Sequence, residues 1–409
     1  MKRVVITEMA LVTPLGSRIG EVLDAMFEGK SGISRIDEWD DIPNMDTRVA
    51  GAVKHIERES IPRKTRKSMS RISLMAAATA LEALGRSGLG EKELSSGRIG
   101  VSYGSTMGGV EELTSFFKEY YDGRGLAGMS SNTFLRIMSH TCAANVALAL
   151  GTSGRIICSC SACTSASQSI GFGYESILQG HADAMFCGGA EELHFITSGV
   201  FDRLMTASVK FNDAPHRTPR PFDVDRDGVV CAEGAATILI EELERARKRR
   251  AQIYAEIIGF STNCDGIHMT SPSKKGMREA TKLALAQCGL DPSDVDYINA
   301  HATGTTAGDI AEAEMIEEIF GDAVPVSSSK GHLGHTLGAC GAVEAILCIE
   351  MMRRGVIHQT LNLENIDEAC AGISHVTRPL RRELRHVISN NFAFGGINSV
   401  LVLKKWSEH

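Results

Sequence analysis

The strongest constraint on this chain is an alternation: short Val- and Ile-rich runs recur along its 409 residues, separated by Ala-rich stretches with helical spacing. Runs of about four to eight apolar residues with no polar face read as strands covered on both sides. Helices between such strands carry the chain from one to the next, the pattern of an α/β fold with mostly buried strands. The pattern predicts strands at 3–7, 99–103, 155–159, 182–188, 235–241, 253–260, 297–300, 324–329, 386–391 and 399–404. It predicts helices at 72–84, 164–179, 278–288, 310–320 and 336–353. The fold class is therefore α/β. Each half, 1–250 and 251–409, presents strand–helix–strand units and ends in a pair of late strands, the outline of a duplicated fold. The charged segment 241–250 between them reads as a solvated helix rather than a linker.

Composition narrows the function. Lys and Arg number 43 against 50 Asp and Glu, a net charge of −7 that gives no general excess for neutralising nucleic-acid phosphates. The apolar run at the N-terminus stops at Glu8, too short for a signal peptide. No apolar stretch reaches the roughly 18–20 residues of a membrane span, so the expected location is the cytoplasm. Eleven cysteines are scattered, and Cys187, Cys231, Cys288 and Cys348 sit in apolar surroundings, as reduced buried thiols do. Cys158, Cys160 and Cys163 depart from that pattern, and Cys160 and Cys163 form a Cys-x-x-Cys pair.

Three segments carry chemistry. The first runs from an apolar strand through a small-residue turn into an Ala/Ser-rich helix, with Cys163 at the helix start. There the unpaired N–H groups and the positive dipole end favour a thiolate, and small neighbours leave room for an acyl group. A buried structural cysteine is the alternative; position and flanks favour the nucleophile. The second segment ends an apolar strand in His301, followed by Ala302-Thr303-Gly304-Thr305. Strand C-terminal ends are where α/β sheets place ligands, although a lone His there equally suits core packing. The third, 327–341, again runs from strand to Gly-rich turn to helix and contains Lys330, His332 and His335. Zinc needs three or four ligands, and neither Cys nor carboxylate stands at a supporting spacing, so no metal is expected on the His332–His335 pair.

Together, S-A-C-T-S at 161–165, N-A-H-A-T-G-T at 299–305 and K-G-H-L-G-H-T-L-G-A at 330–339 closely resemble the elongating β-ketoacyl-[acyl-carrier-protein] synthases of the thiolase superfamily. S-N-N-F-A-F-G-G-I-N at 389–398, Arg226-Asp227-Gly228, the stretch 268–272 and the stretch 360–363 resemble the same family, so the likeness covers the whole chain in order. The resemblance implies a duplicated thiolase fold of five layers, α-β-α-β-α. It gives the half 1–250 the nucleophile and the half 251–409 both histidines. It implies that Cys163 takes an acyl chain from the phosphopantetheine of acyl carrier protein, with an oxyanion hole at Cys163 and Phe394. Malonyl thioester then loses CO₂, the enolate is held by neutral His301 and His335, and attack on the Cys163 thioester gives the β-ketoacyl product. By the same resemblance Lys330, supported by Glu344, tunes the histidines; Thr270, Thr303 and Thr305 meet the pantetheine arm; and Phe392 and Phe394 form a gate. No tightly bound cofactor is implied, and the partner is acyl carrier protein. The assembly is a homodimer, or a heterodimer with a chain-length subunit.

Other assignments rest on looser arguments. Arg63, Lys64, Arg66 and Lys67 form a dense positive run suited to an acidic carrier protein, although such runs are commonly just solvated. Met107, Met138 and Phe201 are candidates for the acyl pocket and equally for the core. The gate reads Phe392-Ala393-Phe394, and alanine tolerates positive φ less well than the family's glycine. Fatty-acid elongation is the first pathway reading, and an aryl polyene or type II polyketide pathway is the second. A degradative thiolase would need a further cysteine near the C-terminus, and none follows Cys370. A thiol redox protein using Cys160 and Cys163 leaves His301 and His335 without a role. The condensing reading requires the Cys163 sulfur to lie within about 10 Å of both rings.

Overall fold

All nine residues of β1 (Val4–Val12) are buried, so both faces of this strand lie under other layers. The computed structural model describes residues 2–127 and 129–408. Ten more strands join β1 in one sheet. These are β2 (Ile99–Gly104), β3 (Ile156–Ser159), β4 (Ala184–Glu191), β5 (Gly234–Glu242) and β6 (Ala255–Cys264). They continue with β7 (Tyr297–Asn299), β8 (Pro325–Ser327), β9 (Ser374–His375), β10 (His386–Ala393) and β11 (Ile397–Lys405). Every predicted strand is present. β1 runs past its predicted end because Glu8, the residue that argued for a stop, is buried and paired with Arg86 at 3.2 Å.

The principal helices are α1 (Arg71–Ser87), α2 (Thr141–Leu150), α3 (Ser165–Leu178), α4 (Phe195–Arg203), α5 (Lys274–Cys288), α6 (Thr306–Phe320) and α7 (Cys340–Arg354). α2 and α4 are absent from the sequence prediction. α7 begins at Cys340 rather than 336, because Leu337 takes a left-handed φ of 44° inside a 3₁₀ turn. Segment 241–250 completes β5 and then forms the short helix Leu243–Lys248, with Glu241 buried between Arg245 and Arg249.

Strand order exposes the duplication. From the seam where β1 meets β6 antiparallel, one side reads β1-β5-β4-β2-β3 and the other β6-β11-β10-β7-β8, with β9 added at the far edge. On each side the first two pairings are antiparallel and the next two parallel. The core divides accordingly. One apolar cluster packs α1 and α2 on the outer face of the first half, and another packs α5 and α6 on the second. A central cluster is filled by α3 and α7, and α7 buries nearly its whole circumference. A helix apolar all round must be an inner layer, which completes α-β-α-β-α.

The two central helices approach closely where side chains are small. A Cβ on Gly341 of α7 would stand 2.6 Å from the Ser167 nitrogen of α3. α3 follows the turn that carries Cys163, and α7 follows the turn that carries His335. Their packing therefore brings the two turns together. Among the described residues, no helix is long and apolar enough to cross a membrane.

Candidate active site

Three chain segments meet at the floor of a cavity of about 340 Å³ lined by Cys163, His301 and His335. Cys163 lies in the 3₁₀ turn Ala162–Thr164 between β3 and α3, with Ala162 at φ 49° and the sulfur-bearing residue only 7% exposed. His301 follows β7, and its backbone N–H donates to Glu312 Oε1 at 2.9 Å while Ala302 N–H donates to Oε2 at 2.7 Å. His335 is pinned by its backbone: its N–H donates to the Val230 carbonyl at 2.8 Å, and Ala232 N–H donates to its own carbonyl at 2.9 Å.

The reactive atoms converge. His335 Nε2 lies 3.0 Å from Cys163 Sγ. The two imidazole rings stand edge to face with centroids 5.1 Å apart. One nitrogen of each ring and the sulfur all lie within 4.8 Å of one another, well inside the distance the sequence reading required. Lys330 and Glu344 form a buried ion pair at 2.5 Å, and Glu344 also accepts from Asn391 Nδ2 at 2.8 Å.

Electrostatics fix the protonation states. Burial, reinforced by the Lys330 charge, holds both histidines well below the usual imidazole range, so both rings are neutral. Among the described residues neither buried Nδ1 has a hydrogen-bond partner, a state a lone pair tolerates better than an N–H. The proton therefore belongs on Nε2. Burial works against the Lys330 charge, but Glu344 more than offsets it and raises that pKa. For Cys163 burial dominates and pushes the thiol up to about 12, with Lys330 pulling the other way. This corrects the sequence expectation of a preformed thiolate. The helix tip is present, but the desolvation produced when the two halves close outweighs it.

The other sequence candidates are distributed unevenly. Phe201, Thr270, Thr303, Thr305, Phe392 and Phe394 all line the cavity, and Phe201 stacks on Phe394 with centroids 5.3 Å apart. Met107 and Met138 do not line it, and Met107 is 37% exposed. Ala393 keeps a negative φ within β10, and the positive values fall on Gly395 and Gly396, so this gate conformation puts no strain on the alanine. Arg63, Lys64 and Lys67 are exposed and Arg66 half-buried, and none of the four has an ion pair among the described residues. Cys160 Sγ contacts the Thr106 carbonyl at 3.1 Å, while Cys163 Sγ faces His335, so the Cys-x-x-Cys thiols have separate partners. His332 turns away from the cavity, with its two ring nitrogens on the carbonyls of Lys30 and Gln359.

Several residues escaped the sequence reading. Glu312 and Asp309 lie on the buried face of α6, and burial raises them to about 7 and about 6. Asp309 accepts from Gly304 N at 3.1 Å and so holds the threonine loop. Cys340 Sγ donates to the Cys163 carbonyl at 3.2 Å. A signal existed for the first two: both carboxylates share helical spacing with Ala313, Ile316 and Phe320, on what should be an apolar stripe.

Two family models cover most of the chain: Beta-ketoacyl synthase, N-terminal domain, over residues 1–246, and Beta-ketoacyl synthase, C-terminal domain, over 254–364. The 3-oxoacyl-[acyl-carrier-protein] synthase 1 of Escherichia coli strain K12 is 38% identical over 408 residues, spanning 99% of each chain. A beta-ketoacyl synthase crystal structure from Burkholderia phymatum STM815 matches with a TM-score of 0.96 at 44% identity, covering 100% of both chains. The ishigamide ketosynthase/chain length factor matches with a TM-score of 0.93 at 28% identity over 99% of this chain and 100% of that one. The chain belongs to the β-ketoacyl synthase family, an acyltransferase-type condensing enzyme on the duplicated thiolase fold.

Proposed function

We propose that this enzyme condenses an acyl group held on Cys163 with malonyl-[acyl-carrier-protein], releasing CO₂ and β-ketoacyl-[acyl-carrier-protein]. The observation that carries the reading is the convergence of Cys163, His301 and His335 above the buried Lys330–Glu344 pair. The half 1–250 supplies the nucleophile and the half 251–409 the histidines.

In the first step the Cys163 sulfur attacks an acyl thioester carried on phosphopantetheine, and the thiol proton leaves with the departing pantetheine sulfur. Nε2–H of His335, at 3.0 Å, stabilises charge building on the sulfur. Backbone N–H groups of Cys163 and Phe394 hold the tetrahedral oxyanion. Malonyl thioester next loses CO₂, and the enolate oxygen takes hydrogen bonds from Nε2–H of His301 and His335. Neutral rings suit that task, because they donate without protonating the carbanion. The enolate carbon attacks the Cys163 thioester, and the released sulfur regains a proton, so each cycle consumes one. Burial holds the histidines neutral and Lys330 reinforces it, and Glu312 fixes the His301 backbone.

Thr270, Thr303 and Thr305 supply hydroxyls along the cavity for the pantetheine arm, with Thr303 Oγ1 and Thr305 Oγ1 3.0 Å apart. Arg63, Lys64, Arg66 and Lys67, unpaired among the described residues, are the dock for an acidic carrier protein. Phe201 closes the cavity against Phe394. Met107 and Met138 would act on the acyl chain only beyond this cavity, toward the open edge of the sheet. A second subunit covers that edge: β3 has no outer partner among the described residues, Ile156 is 51% exposed, and Leu148 of α2, the helix packed on β3, is 64% exposed. A second copy of this chain is the first reading of that subunit. A chain-length subunit is the alternative, by likeness to the ishigamide ketosynthase/chain length factor.

Fatty-acid elongation is the pathway we assign, as the curated relatives' names suggest. The experiment is incubation with malonyl-[acyl-carrier-protein] and a panel of acyl carrier proteins, with products read by intact mass. Two-carbon extension of saturated chains supports the assignment. Extension of polyunsaturated or polyketone chains alone moves the enzyme to a polyene or polyketide pathway. No extension in any arm refutes the reaction.

A further inference from the structure

The three groups at the cavity floor also constitute a metal-ligand set. One thiol sulfur and two imidazole nitrogens, all buried, lie within 4.8 Å of one another. Zinc bound at about 2.3 Å to sulfur and about 2.0–2.1 Å to nitrogen draws its tetrahedral ligands to roughly 3.3–3.8 Å apart. Closing this group on an ion therefore takes side-chain shifts on the order of 1 Å. The His335–Cys163 contact, at 3.0 Å, is already closer than that.

The chemistry of the donors selects the ion. A thiolate with two imidazoles suits Zn²⁺ and excludes Mg²⁺ and Ca²⁺, which demand oxygen. Three protein ligands leave a fourth position open to the cavity, the arrangement of an accessible site rather than a closed structural one. The Lys330 charge opposes a cation, but Glu344 is paired directly with it at 2.5 Å. Binding also has a built-in limit. A ring that ligates through Nε2 must carry its proton on Nδ1, and neither Nδ1 has an acceptor. The ion is thus held reversibly.

We infer that Cys163, His301 and His335 form a Zn²⁺ site whose occupation and acylation of Cys163 exclude one another, so that the metal reversibly blocks condensation. The exclusion rests on Cys163 being the acyl carrier; the metal site rests on geometry alone.

The test is equilibrium dialysis of the full-length enzyme against zinc chloride, with bound metal counted by mass spectrometry. One ion per chain is expected for the wild type, with affinity reduced by at least about tenfold in Cys163→Ala and His335→Ala. Cys160→Ser should bind as the wild type does, and enzyme pre-loaded with an acyl group should take up none. Zinc should stop alkylation of Cys163 by iodoacetamide, and EDTA should restore it. Absence of binding, or undiminished binding in Cys163→Ala with an unchanged circular dichroism spectrum, overturns the site. The same preparation is assayed for condensation without metal. Condensation without zinc binding sinks this inference alone, and zinc binding without condensation sinks the acyl-carrier reading instead.

Discussion

Replacing Lys330 with Met separates what holds the site together from what makes it work. The Lys330 and Glu344 side chains are 1% and 2% exposed, with Nζ and Oε1 at 2.5 Å. In Lys330→Met, Glu344 keeps the hydrogen bond from Asn391 but loses its counter-ion. Stranding one member of a buried pair costs about 3–5 kcal/mol. Replacing both, Lys330→Met with Glu344→Leu, removes the desolvation penalty together with the attraction. Such exchanges are neutral or stabilising by about 1–4 kcal/mol. Against that, Asn391 Nδ2 loses its acceptor, a penalty of about 1–3 kcal/mol. The double variant should therefore stand within roughly 3 kcal/mol of the wild type, and the single variant about 3–5 kcal/mol below the wild type. Activity should follow a different order. Both variants lose the Lys330 charge that reinforces burial in holding His301 and His335 low and that acts on the charge developing between them, and turnover should fall about 10²–10³-fold in each. Urea unfolding and a carrier-protein condensation assay read the two quantities. A double variant as unstable as the single one, or one that regains activity along with stability, would show that the pair acts otherwise.

Other consequences follow from the same geometry. In Glu312→Gln one oxygen remains for two backbone donors, so the N–H of His301 or Ala302 is stranded at about 1–3 kcal/mol. Condensation should drop while iodoacetamide still labels Cys163 at the wild-type rate; parallel losses would mean general collapse. Cys163→Ala should abolish condensation, whereas His332→Ala, which loses two carbonyl contacts and an edge-to-face contact with His358, should keep at least about a tenth of the rate, a barrier change under about 1.4 kcal/mol. Equal effects would show that the two residues have been sorted wrongly. Stability should fall as pH drops. His194, His301, His332, His335, His358 and His375 are held below the usual imidazole value by burial, so their stabilisation is complete above about 6.5 and lost below it, as the unfolded chain takes up protons. Glu175, Glu191, Glu192, Asp309 and Glu312, all raised by burial, act in the opposite sense, with Glu191 and Glu312 reaching about 7. The histidines outnumber them, so the urea midpoint should be lower at pH 5.5 than at pH 7.5; a higher one contradicts their neutral burial.

How much of this was legible in the residues depends on whether the cause is local. The strands were, because a run such as Val4–Ile6 has no polar face to offer solvent. The triad was, because Cys163, His301 and His335 each end a strand in a turn of small residues. α2 was not: its Thr141-Cys142-Ala143-Ala144-Asn145 start has little amphipathic contrast, and it is a helix because it packs on α1. Glu312 and Asp309 were not singled out, because their partners are backbone N–H groups that only folding brings to α6. The raised thiol pKa was invisible for the same reason, since it arises when α7 and its turn cover the sulfur. Met107 was offered to the pocket on residue type alone, which carries no information about position.

The account turns on which atom receives the acyl group. The direct measurement is intact and peptide mass spectrometry of the enzyme after mixing with an acyl carrier protein and no malonyl partner, followed by a malonyl chase. One acyl adduct on the peptide containing Cys163, discharged by the chase with release of CO₂, is the predicted result. An adduct on Cys160, or none on Cys163, contradicts it.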